Sequence, residues 1–319
     1  MNFTGLLLSA FLTTMLVACT AAPLKPLSDR HPEHKEKALS GAPLILAHGG
    51  SAGDEPLNSL AAIKATLKRP DYDGIEIDIV LTGDSMPVLA HDPWLSSDSC
   101  HRQDGKHFDK VQLQDIFYAE LVELFECRFE SGDGNRGAYH PLVSLPEVLA
   151  LMKAFPDKVL YLDLKIQEGK TLPVDEYAAE IYQQLLASDM SNEVFIEVPE
   201  SGHVRQVLEA FEERSVTTVL SYPAFYAGED WDKVGAVAAL KALASASEPL
   251  DVSQEAGAAM VMSPAIVMPY RAIRRLHDAG VLFGTFLVTD DASLQIACDH
   301  GADLIISDIP PATGCEERR

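Results

Sequence analysis

The 319-residue sequence predicts a (β/α)8 TIM-type barrel. Eight short apolar runs alternate with amphipathic stretches, which implies parallel strands joined by crossover helices. In addition, titratable residues gather at the C-terminal ends of the first three runs, the face on which barrel enzymes build their sites. In chain order the runs are Leu44–His48, Gly74–Asp78, Val159–Lys165, Val194–Val198, Val216–Ser221, Ala258–Met262, Leu282–Val288 and Asp303–Ser307. Each is brief and rich in Val, Ile, Leu or Phe, as a buried strand is. The helical candidates between them are Ser59–Leu67, Leu145–Ala154, Asp175–Ala187, Val204–Glu212, Pro269–Ala279 and Asp291–Asp299. A doubly wound open sheet shares the alternation and is the competing architecture.

A ninth run, Pro87–His91, follows Asp78 after only about eight residues. That is too short for a crossover between parallel neighbours, so it predicts a hairpin or loop over strand two, with His91 above the mouth. The segment from Ser96 to Pro141 is too long for a featureless connection. With Cys100 and Cys127 it reads as a stapled insertion after strand two that lies over the site.

Two carboxylates two residues apart on a strand, Glu76 and Asp78, project from one face and offer paired oxygens to a hard divalent cation. Asp163 and Lys165 share a face by the same spacing. His48 and His91 supply an acid and a base beside them. Polar groups at the ends of buried strands are costly unless they bind or react. The residues therefore point to a metal-assisted hydrolase. Glu197 reads as a surface carboxylate or a supporting group; Asp92 as a loop-orienting neighbour of His91; His101, His107 and His140 as solvated or packing residues.

Residues 1–18 carry no charged side chain and include an apolar run, Leu6–Val17, too short to span a bilayer comfortably. The tetrad Leu16-Val17-Ala18-Cys19 resembles a lipobox, with Cys19 the lipidated first residue of an exported bacterial lipoprotein, periplasmic or at the cell surface. Residues 19–42 are rich in Pro, Lys, Glu and His and read as a tether, 43–311 as one catalytic domain and 312–319 as a tail. Export makes disulfides permissible, and proximity favours Cys100–Cys127 and Cys298–Cys315. A net charge of −23 excludes nucleic acid as a partner and requires local cations for an anionic substrate.

With those residues in hand, the chain resembles the glycerophosphodiester phosphodiesterase family. AHGG (Ala47–Gly50) looks like its opening His-Arg-Gly, and PLNSLAAI (Pro56–Ile63) like its Pro-Glu-Asn-Thr segment. GIEIDIVLTGDSMPVLAHDPWL (Gly74–Leu95) is similar to its Glu-x-Asp and His-Asp signature. VSLPEVL, VLYLDLK, HDAGVLFGTFLVT and GADLIISDIP follow in register. The resemblance implies one divalent cation, magnesium or calcium, on Glu76, Asp78 and Asp163, acid–base catalysis by His48 and His91, and phosphate contact by Lys165.

Three departures stand out. Gly49 replaces the Arg after the first His, Leu57 replaces the Glu of the second segment, and Asp163 stands where the family usually has Glu. Phe286 and Thr289 also depart from the family's strand-seven pattern. Joint loss of an acid and a base suggests that the two were partners. The reading is metal-dependent hydrolysis of glycerophosphodiesters to glycerol phosphate and an alcohol. Its alternatives are phospholipase-D-like cleavage of lysophospholipid or sphingolipid headgroups, and a non-catalytic, surface-anchored binding lipoprotein.

Overall fold

Eight parallel strands close on themselves around a side-chain core. They are β1 (Leu44–Ala47), β2 (Gly74–Leu81), β8 (Val159–Leu164), β9 (Val194–Val198), β10 (Thr217–Ser221), β11 (Met260–Met262), β12 (Leu282–Val288) and β13 (Leu304–Ser307). Each pairs with the next, and β1 pairs with both β13 and β2, so no barrel edge is left open. This is a computed structural model that describes residues 42–51, 55–129, 138–211, 216–226, 228–229, 231–265, 267–311 and 315. The leader, Cys19 and nearly all of the tether and tail lie outside the described residues. No helix among the described residues is long and apolar enough to cross a membrane.

Alternation along the strands divides two cores. Inward residues Leu44, Leu46, Val159, Tyr161, Phe195, Val219, Met260, Met262, Leu304 and Ile306 pack together inside the barrel. Outward residues such as Ile75, Ile77, Leu160, Leu162 and Ile196 meet the helices, including Ile63 of α1 (Leu60–Thr66) and Leu149 of α3 (Leu145–Met152). The methionines set one residue choice. A Cβ at Gly284 would lie 2.6 Å from the Met262 methyl carbon and 3.1 Å from the Met260 sulfur, so a larger residue there would make both side chains shift.

Strand β2 runs three residues past the predicted end at Asp78. Ile79, Val80 and Leu81 pair antiparallel with Leu89, Val88 and Pro87 of β3 (Pro87–Leu89), forming the expected hairpin. That pairing satisfies backbone groups as β2 leaves the barrel. The insertion is a small layer of two ladders. β4 (Trp94–Ser96) pairs with β6 (Lys110–Gln112), and β5 (Cys100–Arg102) with β7 (Phe125–Cys127), which follows α2 (Tyr118–Leu124). It has its own core, in which Leu95, Leu113, Leu121 and Phe125 pack on Val80 and Val88.

Two helices between β10 and β11, α6 (Trp231–Ala244) and α7 (Glu248–Ala256), were not anticipated. In α6 the small Ala238 and Ala242 are buried while Leu240 is 67% exposed, so its apolar residues trace no inward stripe. The remaining helices are α4 (Val174–Ser188), α5 (Ser201–Ala210), α8 (Tyr270–Asp278) and α9 (Asp291–His300).

Both favoured disulfides form, Cys100–Cys127 and Cys298–Cys315. Cys100 and Cys127 lie opposite each other in the β5–β7 ladder, 27 residues apart in sequence. Replacing both by Ser is expected to destabilise the insertion by about 2–4 kcal/mol through restored loop entropy. A lower Tm under non-reducing conditions checks this; an unchanged Tm together with unchanged substrate preference would remove any role for the bridge.

Candidate active site

The site is assembled where inward positions run out of barrel core. Beyond Ala47 the chain enters a single 3-10 turn, His48–Gly50, which swings His48 over the mouth. Its Nδ1 lies 2.5 Å from Oδ1 of Asp308, just past β13. On β2, Glu76 and Asp78 point inward as their spacing predicts and are 3% exposed each. The Gly49 N–H donates to Glu76 Oε2 at 2.8 Å. Asn58 holds Asp78 twice: its Nδ2 donates to Oδ2 at 2.8 Å, and its Oδ1 accepts the Asp78 N–H at 3.2 Å.

Parallel register lays Asp78, Asp163 and Glu197 in one row across β2, β8 and β9. Lys165, one residue past β8, curls back between two of them. Its Nζ lies 2.8 Å from Asp78 Oδ1 and 2.6 Å from Asp163 Oδ2. Glu197 is not the surface carboxylate expected. It is 5% exposed, accepting from the Tyr161 hydroxyl at 2.7 Å and the Ser221 hydroxyl at 2.5 Å. His91 faces this cluster from the hairpin, its Nδ1 2.9 Å from Asp92 Oδ1. The other histidines stay outside: His101 stacks edge-on with Tyr139, His107 meets Asp109, and His140 packs against Phe129.

The charges are strongly coupled. Burial would lower the pKa of His48, but the Asp308 hydrogen bond and the Glu76 and Asp78 charges raise it to about 9. Burial, with Asp78 next to it, pushes Glu76 up to about 8. Burial works the same way on Asp78, yet the Lys165 ammonium and the two histidines hold its carboxyl well below the usual range. Burial and the Asp163 charge push Glu197 up to about 8.

Glu76, Asp78 and Asp163 each offer an oxygen, all within 4.8 Å of one another. Three hard oxygens on one wall, one of them a buried carboxylate kept ionised only with difficulty, fit a divalent cation. Two cavities meet at this cluster. One, of about 230 Å³, lies in the barrel mouth, walled by Glu76, Lys165, Phe225, Phe286 and Asp308. The other, of about 610 Å³, runs from His48, Asp78 and His91 out over the insertion.

Residues 48–312 match the model of the glycerophosphoryl diester phosphodiesterase family. The chain belongs to that family. A Mycobacterium tuberculosis protein named "Probable glycerophosphodiester phosphodiesterase 1" is 30% identical over 110 residues, 34% of this chain and 40% of that protein. A mouse lysophospholipase D is 29% identical over 122 residues, 38% of this chain and 34% of its own. The matches thus span 40% or less of these curated relatives. Among solved structures, an Oleispira antarctica phosphodiesterase in complex with the product sn-glycerol-3-phosphate superposes with a TM-score of 0.62. It is 19% identical, with 86% of this chain and 96% of that one covered.

Two of this chain's departures from the family pattern, Gly49 and Leu57, meet in space. A Cβ on Gly49, whose φ is +53°, would lie 2.7 Å from Leu57 Cβ. Gly49→Arg is therefore expected to cost about 1–3 kcal/mol through overpacking and backbone strain. Leu57→Glu should change that cost, because positions in contact do not act independently. Urea titration of the two single variants and the double variant measures the coupling; additive effects would dismiss any partnership between the two positions.

Asp308 and Asn58 are the members of the site that the residue pattern did not single out. Asp308 and Asn58 sit inside stretches quoted for the family resemblance. Their roles depend on contacts 260 and 20 residues away in sequence, which no local pattern reveals.

Proposed function

We propose that this protein hydrolyses glycerophosphodiesters to glycerol phosphate and an alcohol. The observation that carries the reading is the convergence of His48, His91, three carboxylates and Lys165 on one barrel mouth. Family membership and the sn-glycerol-3-phosphate bound by the Oleispira relative support it. A divalent cation, magnesium or calcium, held by Glu76, Asp78 and Asp163 would supply Lewis-acid stabilisation of the non-bridging phosphate oxygens. Lys165 adds a fixed positive charge beside the same oxygens. His48, kept protonated by Asp308, gives its proton to the leaving oxygen. His91, with its Nδ1 proton directed at Asp92, accepts the nucleophile's proton at Nε2.

A second reading, cleavage of lysophospholipid headgroups, draws on the mouse relative's name and on the apolar Phe225, Phe286 and Ile306 in the mouth. We further propose that Cys19 is lipidated and tethers an exported protein to a membrane. Intact-mass analysis of wild type and Cys19→Ala tests this; an unmodified wild-type cysteine would refute it.

The deciding assay strips the protein with chelator, then restores magnesium or calcium. Glycerophosphocholine, glycerophosphoethanolamine and a lysophospholipid are compared, with His48→Ala as blank. Cation-restored turnover of a water-soluble diester supports the first reading, and preference for the lysophospholipid the second. Bound cation without turnover would leave a phosphodiester-binding protein.

A further inference from the structure

The 610 Å³ cavity over the insertion shares His48, Asp78 and His91 with the mouth pocket, so a diester whose phosphate sits at those residues extends one arm into each. The smaller mouth pocket suits the compact glycerol arm, leaving the larger cavity for the leaving alcohol. Resting on the phosphodiesterase reading above, we infer that this cavity is a leaving-group subsite for an alcohol that carries a second anionic group, a carboxylate or a phosphate. Lys110 and Arg128 are the residues that select it.

The charge pattern carries the argument. Lys110 and Arg128 both line the cavity, and no ion pair joins either to a carboxylate among the described residues. Arg128 Nε is buried without a hydrogen-bond partner. A buried guanidinium N–H left unpaired is costly, and turning the Arg128 guanidinium toward a ligand oxygen in the cavity would relieve it. The cavity's carboxylates are occupied: Asp92 by His91, Asp98 by a partner of its own. Cations with no carboxylate partner among the described residues are notable in a chain of net charge −23.

Trp94 excludes the opposite preference. An aromatic ring at the mouth could receive a quaternary ammonium. Here, however, Lys110 Nζ already lies 3.5 Å from the centre of the Trp94 ring, and Lys170 Nζ 5.1 Å. A cationic headgroup would meet ammonium rather than a free π face. The staple fixes the geometry. Arg128 follows Cys127 of the Cys100–Cys127 bridge, and its N–H donates to the Ser99 carbonyl at 2.8 Å.

The test compares diesters differing by one anionic group: glycerophosphoserine against glycerophosphoethanolamine, and bis(glycerophospho)glycerol against glycerophosphoglycerol. The anionic member of at least one pair should show about tenfold higher kcat/KM, as charge-assisted hydrogen bonds provide. Whichever pair responds names the source of the anion. In Lys110→Gln/Arg128→Gln that ratio should fall to within about twofold. Equal rates in both pairs, or a ratio untouched by the double variant, would overturn the inference.

A binding measurement keeps it separate from turnover. Trp94 and Trp231 are the two tryptophans, so Trp231→Phe leaves Trp94 emission as the reporter. Titration of O-phosphoserine against phosphoethanolamine, and of glycerol 1,3-bisphosphate against glycerol 3-phosphate, shares the phosphoryl contact within each pair and isolates the second anionic group. If no diester is hydrolysed, the proposed function fails. Tighter binding of the more anionic member of either pair, lost in the double variant, would still sustain the subsite, and equal affinities in both pairs would refute it.

Discussion

His48→Ala is expected to lower kcat by about 10²–10⁴-fold, the range typical of a general acid. The side chain stands on a short turn above the mouth, so truncation leaves the barrel core intact. Asp308→Asn should act through His48. The carboxylate accepts from Nδ1 at 2.5 Å and is among the causes that raise the imidazole to about 9. A histidine raised above its unfolded value near 6.5 keeps its proton, and its stabilising contribution, below that value and loses both as pH rises through about 9. Removing the carboxylate moves the loss to lower pH. NMR titration of chelated protein should place the His48 midpoint near about 9 in wild type and lower in Asp308→Asn. Identical midpoints would deny Asp308 this positioning role.

Glu76→Gln should abolish cation-dependent turnover while stabilising the metal-free protein. In the row of carboxylates on the inner wall, Glu76 is buried, and burial together with the Asp78 charge raises it to about 8. A carboxyl whose folded pKa exceeds its unfolded value binds its proton more tightly when folded. Stability of the chelated protein therefore falls as pH rises from about 4.5 through about 8. The neutral amide removes that slope. At pH 8.5 the chelated variant should melt above chelated wild type, by a margin on the order of a few kcal/mol at most. Added cation should then raise the Tm of wild type and leave the variant unmoved, because binding the folded state stabilises it. Glu197, also raised to about 8, contributes a similar slope that Glu76→Gln leaves in place. A variant that binds the cation as well as wild type, or melts lower when chelated, would contradict the assignment. Such a gain on losing function is the expected mark of a site that stores unfavourable charge.

The chemistry of the site was legible where a period of two and strand ends sufficed. Glu76 and Asp78 had to share a face, and the hairpin logic placed His91 above the mouth rather than in the wall. For Glu197 the sequence leaves a surface and a supporting role open, because a lone Glu in an apolar run has no local partner to show that it points inward. Only the register of β9 against β8 and β10 brings Tyr161 and Ser221 to it. Helix α6 escaped for a different reason. Its buried face is alanine and its exposed face leucine and valine, which erases the contrast that amphipathic patterning requires.

By itself, then, the sequence determined the alternation of strands and helices, the barrel, the pair of carboxylates on β2 and the family resemblance. All of these are local periodicities or short contiguous motifs. Tertiary structure alone decided that Asp308 orients His48, that Asn58 holds Asp78, and that Lys165 bridges two carboxylates. It also decided that Lys110 and Arg128 of the insertion line a cavity shared with His48, Asp78 and His91. Apart from Lys165 with Asp163, these are contacts between groups well separated along the chain. Their existence depends on barrel closure and strand register, which are set by the packing of the whole core rather than by any one segment.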